Sequence, residues 1–399
     1  MNKENSNNEL KENITEERCL VAMSGGVDSS VAVYLMKEKG YSPIGVTMML
    51  HDQDLSCTVG THLCCTPDDI EDARVVCSAM GIPFYVVNFM DGFREKIIDN
   101  FVETYLRGET PNPCIDCNRY MKFGRLFEMA DEKECAKVVT GHYARIEKDE
   151  AGGTYRLKRA IDRTKDQTYV LYFLSQSQLS RLEFPLGEYE KTVARDIAEK
   201  QGIIVARKHD SQDICFVPDG DYAGFMEREA ADRVREALSV SGAENGDATD
   251  GNGMFVDMDG KIIGPHKGYF HYTIGQRRGL GIPAAERLYV VDIIPEKNQV
   301  VLGSNDDLFT RKVEAVDFNL ISMPDENAII EENDASDGVT MRVTGKVRYR
   351  AKDTPGELTL RPDGTATMIF DDPVRAVTPG QSLVIYDGEY CLGGGTIVR

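Results

Sequence analysis

The chain has 399 residues, is 41% hydrophobic and 28% charged, and carries a formal net charge of −20. That length exceeds one typical domain, so two or three are expected. The charge excludes a surface that is basic overall and leaves only local patches for binding nucleic acid. No apolar run approaches the roughly 20 residues needed to span a bilayer. The Asn-, Glu- and Lys-rich start has no apolar signal core, so residues 1–16 read as a disordered leader on a soluble, cytosolic protein.

In chain order, Cys19 to Met23 reads as a buried strand, and Ser29 to Lys39 as a helix that stops at Gly40. Ile44 to Leu50 is a second strand, Asp68 to Met80 a helix ending at Gly81, and Phe84 to Phe89 a third strand. Asp91 to Leu106 places Phe93, Ile97, Ile98, Phe101, Val102 and Tyr105 at helical spacing. A further helix is expected at about Asn118 to Asp131, then a strand at Lys137 to Thr140. Alternation of this kind, continuing to about Ala206, implies an α/β domain with a mostly parallel sheet and ligands at the strand C-termini. The composition then changes. In a flexible insertion near 230–252, Arg233 to Leu238 reads as helical and Ser239 to Asn252 as rich in Gly, Ser, Asn and Asp. Gly253 to Ile263 reads as a hairpin around Asp259-Gly260. From Leu288 onward, short Val-, Ile- and Thr-rich stretches, among them Leu288–Ile294 and Gln299–Leu302, predict an antiparallel barrel. The expected division is 17–210 for the α/β domain, 211–284 for a small β-rich central domain and 285–399 for the barrel.

Between the first strand and first helix stands Ser24-Gly25-Gly26-Val27-Asp28-Ser29-Ser30. Glycines and hydroxyls at a helix N-terminus point backbone N–H groups at an anion. The run lacks the G-x-x-x-x-G-K-[ST] pattern, so no lysine within it cradles a phosphate. A second signal is Thr110-Pro111-Asn112-Pro113-Cys114-Ile115-Asp116-Cys117-Asn118. Its prolines stiffen a loop, and Cys117 is read at the start of the next helix, where the dipole lowers a thiol pKa. A C-x-x-C pair serves as a redox pair, half a zinc site or part of an iron–sulfur site. The third signal is Ser211-Gln212-Asp213-Ile214-Cys215-Phe216, where a polar lead-in favours a reactive thiol over a small core residue. Two basic clusters stand out: Arg156, Lys158, Arg159, Arg163 and Lys165, and Arg342, Lys346, Arg348, Arg350 and Lys352. The second alternates as a strand does, and either one reads as an ordinary solvated strand face when taken alone.

The glycine run is similar to the loop of the ATP-pyrophosphatase superfamily. With Thr140-Gly141-His142-Tyr143-Ala144, Lys165-Asp166-Gln167, His271 to Leu280, Arg348-Tyr349 and Pro379-Gly380-Gln381, the chain resembles tRNA-uridine 2-sulfurtransferases over its whole length after the leader. The resemblance implies an adenine-nucleotide-α-hydrolase-like fold. It implies ATP held by Ala22, Met23, Ser24, Gly25, Gly26, Val27, Asp28, Ser29, Met48 and Gly141, with Mg2+ near Asp28. It places Asn112, Pro113 and Cys114 beside the target base. It assigns tRNA contacts to His142, Lys165, Asp166, Gln167, Arg348, Tyr349 and Gln381. Cys117 and Cys215 are implied to do the sulfur chemistry on the wobble uridine of the anticodon stem-loop, with sulfur from a donor protein, a persulfide relay or a cysteine desulfurase. Gly141 has its own reason: a backbone approach too close for a side chain.

Adenylation turns a uridine carbonyl oxygen into a leaving group, and sulfur replaces it at C2. In the family's usual scheme Cys215 carries a persulfide, and the cycle ends in a Cys117–Cys215 disulfide. Many members carry aspartate at the position of Cys114. Cys114, Cys117 and Cys215 are three soft ligands that suit a [4Fe–4S] cluster with one open iron, the more economical reading of that cysteine. Cys57, His62, Cys64 and Cys65 are read as loop or buried groups rather than a zinc site. The alternatives are another adenylating ligase, amide- or lysidine-forming, and a non-enzymatic metal-dependent tRNA-binding module.

Overall fold

The computed structural model describes residues 17–50, 66–150, 152–209, 214–217, 219–241, 253–324, 329–332 and 338–399. The leader, the Cys57–Cys65 segment, Ser211 to Asp213 and residues 242–252 lie outside them.

Strands β1 (Arg18–Ala22), β2 (Ser42–Met49), β3 (Phe84–Asn88), β4 (Lys137–Val139) and β7 (Leu182–Glu183) form one sheet in the order β3-β2-β1-β4-β7, every pairing parallel. Cys19, Leu20 and Val21 are fully buried, as expected where helices cover both faces and strands become unbroken apolar runs. Helices α1 (Val27–Glu38) and α2 (Pro67–Ala79) follow β1 and β2. A Thr66–Asp69 capping box, with Pro67 in the first turn, opens α2. The strand order reverses between β1 and β4, and a parallel sheet opens its ligand crevice at such a point. The Ser24 loop leaves β1 there, and Gly141 follows β4.

Two long helices carry the rest of this part. Helix α3 (90–106) joins Met90–Phe93, a wide π turn at Arg94–Ile98 and Asp99–Leu106. Helix α4 (113–132) joins Pro113–Asp116, a π turn at Cys117–Lys122 and Phe123–Glu132. The helix expected from Asn118 therefore begins a turn earlier, because Pro113 is well suited to a first helical position. Cys114 occupies the first turn and Cys117 the π turn, so the dipole argument made for Cys117 belongs to Cys114.

Hairpin β5 (Ala144–Lys148) and β6 (Tyr155–Arg159) follows β4, and helix α5 (Gln176–Arg181) leads into β7. Helices α6 (Lys191–Lys200), α7 (Tyr222–Glu229) and α8 (Ala231–Ser241) come next. The helix expected at Arg233 to Leu238 is present and extends to Ala231 and Ser241. Strands β8 (Gly253–Val256) and β9 (Ile262–His266) form the expected hairpin. Strands β10 (Tyr289–Ile294) and β11 (Gln299–Gly303) join them in the order β10-β11-β8-β9. They were expected in the barrel. Instead β11 runs parallel to β8, a long-range pairing that turn spacing does not reveal.

The barrel comprises β12 (Phe309–Leu320), β14 (Val339–Lys346), β15 (Thr354–Leu360), β16 (Ala366–Arg375), β17 (Ser382–Asp387) and β18 (Tyr390–Val398), with β13 (Ile329–Glu332) attached to β14. It closes through β12–β18. β6 pairs with β18 at Leu157 and Lys158, so the α/β part extends the barrel's sheet. At that seam Arg159 is buried, with its guanidinium 3.6 Å from the Tyr386 ring centre, 2.7 Å from Asp353 and 3.8 Å from Asp166. Removing one partner of a buried pair strands the other charge. We expect Arg159→Met to lower unfolding stability by about 3 kcal/mol, read from urea titration. A change below about 0.5 kcal/mol, the range of an ordinary surface substitution, would show that the seam contributes little.

Candidate active site

The Ser24–Ser30 loop is tied before any ligand arrives. The Ser29 hydroxyl donates to Gly26 O at 3.1 Å and accepts from Ser24 N at 3.1 Å. Ser30 Oγ donates to the same Gly26 carbonyl at 2.9 Å. Gly25 has φ +70°, and a Cβ there would overlap the Asp69 backbone, so both conformation and contact require glycine. Lys208 Nζ closes the back of the loop, 3.1 Å from Gly25 O, 2.5 Å from Asp69 and 2.6 Å from Asp72. Met23 is buried beneath the loop, and Thr47 Oγ1 donates to Met23 O at 2.7 Å. Met48 follows as a buried core residue of β2. A Cβ on Gly141 would stand 3.0 Å from Asp28 C and Ser29 N. The close approach expected there is to the loop's own backbone.

Asp28 differs most from expectation. Lys191 Nζ lies 2.7 and 2.8 Å from its two carboxylate oxygens, and the Tyr143 hydroxyl donates to Oδ1 at 2.9 Å. Lys191 is only 7% exposed. The positive charge assigned from sequence to Mg2+ is supplied here by an ammonium. With both oxygens engaged, the carboxylate does not stand open as a magnesium ligand. Lys191 opens α6, where the helix dipole disfavours a cation. That anomaly was the sequence signal for a residue that motif reading missed. Lys208 had no such signal.

The thiol loop is built from below by aromatics. Phe216 stacks edge-on against Phe93 and Phe101 at 5.8 and 5.2 Å, and lies 5.2 Å from Phe225. This seats half-buried Cys215 against the same core as Cys117, which is buried, while Cys114 is exposed. All three are thiols rather than disulfides. Among the described residues no three His, Cys, Asp or Glu side chains are gathered as a metal-ligand set. The cluster expected on Cys114, Cys117 and Cys215 therefore does not fit this arrangement. Beside Cys117, Asn118 donates to Val170 O at 3.1 Å, while its buried Oδ1 has no hydrogen-bond partner among the described residues. Such an orphan costs about 1–3 kcal/mol.

Residues expected to touch tRNA mostly hold the protein together. His142 is buried between Phe123 and Phe184, with Nδ1 2.7 Å from Thr140 Oγ1. Burial, then the Lys122 charge, lowers its pKa to about 3. Its imidazole is a neutral core group rather than a surface contact. Asp166 is buried and accepts from Ala160 N and Thr168 Oγ1 at 3.1 and 2.7 Å. Gln167 Oε1 accepts from Tyr143 N at 2.9 Å. Gln381 Nε2 donates to the Thr110 and Pro111 carbonyls, each at 3.1 Å. Arg348 donates to Arg375 O and Ala376 O at 2.8 and 2.7 Å. Tyr349 stays 37% exposed, and its hydroxyl donates to Asp166 O at 3.1 Å. Burial, then the charges of Asp166 and Cys114 against Arg350, raises its pKa. The barrel thus reaches the thiol loop through Tyr349 and Gln381. Lys165 is half-buried in the turn from Asp162. Asn112 and Pro113 open α4.

Two outcomes follow from these geometries. Lys191→Met leaves Asp28 without its counter-ion. Asp28 is about a third exposed, so the cost is discounted from the 3–5 kcal/mol of a fully buried pair to about 2 kcal/mol. Pyrophosphate release should fall at least about tenfold, the rate equivalent of some 1.4 kcal/mol. Wild-type melting and wild-type release together would remove Lys191 from the site. Asp116 accepts from Asn100 Nδ2 at 2.9 Å, and burial raises its pKa from 3.8 to about 6 against the lowering effects of Asn100 and Arg119. The folded chain therefore holds a proton that the unfolded chain releases. The stability contributed by the neutral form is present below about pH 4 and is lost as pH rises to about 6. Between those limits the wild type should lose on the order of 2 kcal/mol that Asp116→Asn does not lose. Parallel pH profiles would refute this.

Family models match three stretches: a tRNA methyl transferase HUP domain at 17–219, a tRNA methyl transferase PRC-barrel domain at 246–304 and an aminomethyltransferase beta-barrel domain at 324–397. A protein named tRNA-specific 2-thiouridylase MnmA from Clostridioides difficile (strain 630) is 46% identical over 384 residues, 96% of this chain and 98% of its own length. A protein of that name from Carboxydothermus hydrogenoformans is 43% identical over 387 residues, covering 97% and 99%. A solved 4-thiouridine synthetase–RNA complex with bound ATP aligns with a TM-score of 0.34 at 16% identity, over 54% of this chain and 51% of that one. With sequence identity at this level running through all three parts, the chain belongs to the tRNA-specific 2-thiouridylase family.

Proposed function

We propose that this chain thiolates uridine C2 in tRNA, at the wobble position, at the expense of ATP. The observation that carries the reading is a pre-tied anion loop linked through Tyr143 and Gln167 to the turn that the barrel's Tyr349 holds, beside a thiol loop braced by the barrel's Gln381. The Ser24–Ser30 backbone and Lys191 receive the phosphates of ATP. The target base, unstacked from its loop, enters beside Asn112, Pro113 and Cys114. Its O2 attacks the α-phosphorus, the bond to pyrophosphate breaks, and the oxygen becomes part of an AMP leaving group.

Sulfur arrives as a persulfide on Cys215 from a donor protein. Its terminal sulfur bonds to C2, and AMP departs with the oxygen. Cys117 thiolate then attacks the Cys215 sulfur of the bridge. That forms the Cys117–Cys215 disulfide and releases the thiolated base, and a thiol reductant restores both residues. Cys117 and Cys215 border the same hydrophobic core, and among the described residues no three His, Cys, Asp or Glu side chains form a ligand set, which supports this persulfide cycle over a cluster carrier. We further propose that 17–210 activates the base, and that 211–284 and 285–399 dock the tRNA. We place its action in the cytoplasm, where the tRNA it thiolates is met; no helix among the described residues is long and apolar enough to cross a membrane.

The test is formation of 2-thiouridine in unmodified tRNA, read by nucleoside mass spectrometry beside pyrophosphate release. Cys117→Ser and Cys215→Ser should each lose thiolation by about 100-fold or more while pyrophosphate release stays within roughly threefold, because activation precedes sulfur transfer. Cys114→Asp should keep thiolation within about threefold. Joint loss of iron and activity in that variant would reinstate the cluster. Pyrophosphate release with a sulfur-free product would favour an amide- or lysidine-forming ligase.

A further inference from the structure

The two basic clusters singled out in the sequence are largely neutralised in the fold. Lys158 lies 2.7 Å from Glu147, Arg156 3.7 Å from Asp149 and Lys346 3.7 Å from Asp353, while Arg342 pairs with Asp371. Arg350 and Lys352 of the second cluster, and outside both clusters Arg277, Arg278 and Arg287 on the exposed loop between β9 and β10, have no carboxylate partner among the described residues. The loop is built rather than slack. Gln276 accepts from Thr273 N at 3.1 Å, donates to Arg278 O at 3.0 Å, and its carbonyl accepts from Val290 N at 2.9 Å. Gly275 (φ +89°) lies against the barrel, where a Cβ would stand 2.9 Å from Ala376 Cβ and 3.7 Å from Arg375 NH1. Arg375 in turn offers its carbonyl to Arg348. The segment from Arg375 to Gln381 therefore links this loop, at Gly275, to the thiol loop, where Gln381 holds the Thr110 and Pro111 carbonyls.

We infer that Arg277, Arg278 and Arg287 bind backbone phosphates of the tRNA whose base is thiolated, a track that leads to the thiol loop; this rests on the tRNA reading above. Exposed guanidinium groups that are in no ion pair among the described residues receive an anion without first breaking one. Guanidinium forks match phosphate geometry. In a chain of net charge −20, RNA needs such a local field to approach at all.

The experiment is binding of an unmodified tRNA to wild type and to R277Q/R278Q/R287Q across a salt series. The triple variant should bind roughly 10–100-fold more weakly near 0.1 M salt, and its log–log salt slope should flatten by about 2–3. Lysine at the three positions should restore the slope, and the melting midpoint should not move. Weak displacement by inorganic phosphate at matched ionic strength would support a track rather than a single phosphate site; full displacement by phosphate would overturn it. Equal affinity and slope in variant and wild type would overturn the patch and leave the enzyme reading standing. Loss of sulfur transfer from a donor protein with tRNA binding intact would overturn it in favour of an acidic protein partner. A wild type that binds no tRNA would overturn both.

Discussion

The rest of the site depends on the pairing of Asp28 with Lys191. A phosphate loop must gather N–H groups and positive charge before its anion arrives, and a chain of net charge −20 offers little of either by default. Here a buried ammonium, borrowed from a helix 163 positions along the chain, holds the one carboxylate of the loop. Tyr143 completes the hold, and Gln167 fixes Tyr143 by its backbone. Since Asp166 and Tyr349 follow in the same connected set, the loop's charge balance and the barrel's position are parts of one arrangement. A free lysine in the loop would bind phosphate but would not register the barrel.

The thiol loop obeys a different constraint. Helices α3 and α4 each carry a π turn, which widens the helix at a cost in hydrogen bonding. In α4 that turn holds Cys117 and Asn118, the latter with a buried acceptor left without a partner among the described residues. Local strain of this kind persists only where packing over-determines it. The Phe93–Phe101–Phe216–Phe225 cluster supplies that packing and also seats Cys215. The thiols are thus brought to one region by aromatic burial rather than by a shared metal.

Much of this was legible in the sequence, and the limits are physical. The strands and helices of the parallel sheet follow from periodicity, and the crevice follows from the glycine run between the first strand and first helix. The parallel β8–β11 pairing was not legible, because sequence spacing reports local turns and not which distant strand completes a sheet. Lys208 was missed because a salt bridge across more than a hundred residues leaves no local pattern, and Lys191 because its one signal, a cation at a helix N-terminus, lies outside every motif. The C-x-x-C spacing read equally well as ligand or redox chemistry until the fold separated exposed Cys114 from buried Cys117. Even the helix start was misplaced by a turn, since Pro113 was read as a loop stiffener when it serves as a first helical residue.

The residues that the resemblance assigns to tRNA deserve a second physical reading. His142, Asp166, Gln167, Arg348 and Gln381 all spend their hydrogen bonds inside the chain. Gln381 fixes the two carbonyls just before Asn112, and Asp166 braces the turn that receives Tyr349. Substituting any of them moves the thiol loop or the phosphate loop, so lost thiolation in such variants does not by itself report a lost RNA contact. A group that binds RNA only through its charge behaves otherwise: its removal changes affinity and salt dependence while the fold stands. The exposed arginines without carboxylate partners belong to that second kind, and the buried polar residues to the first. The fold separates what the motifs combine, recognition by field at the surface and positioning by hydrogen bond beneath it.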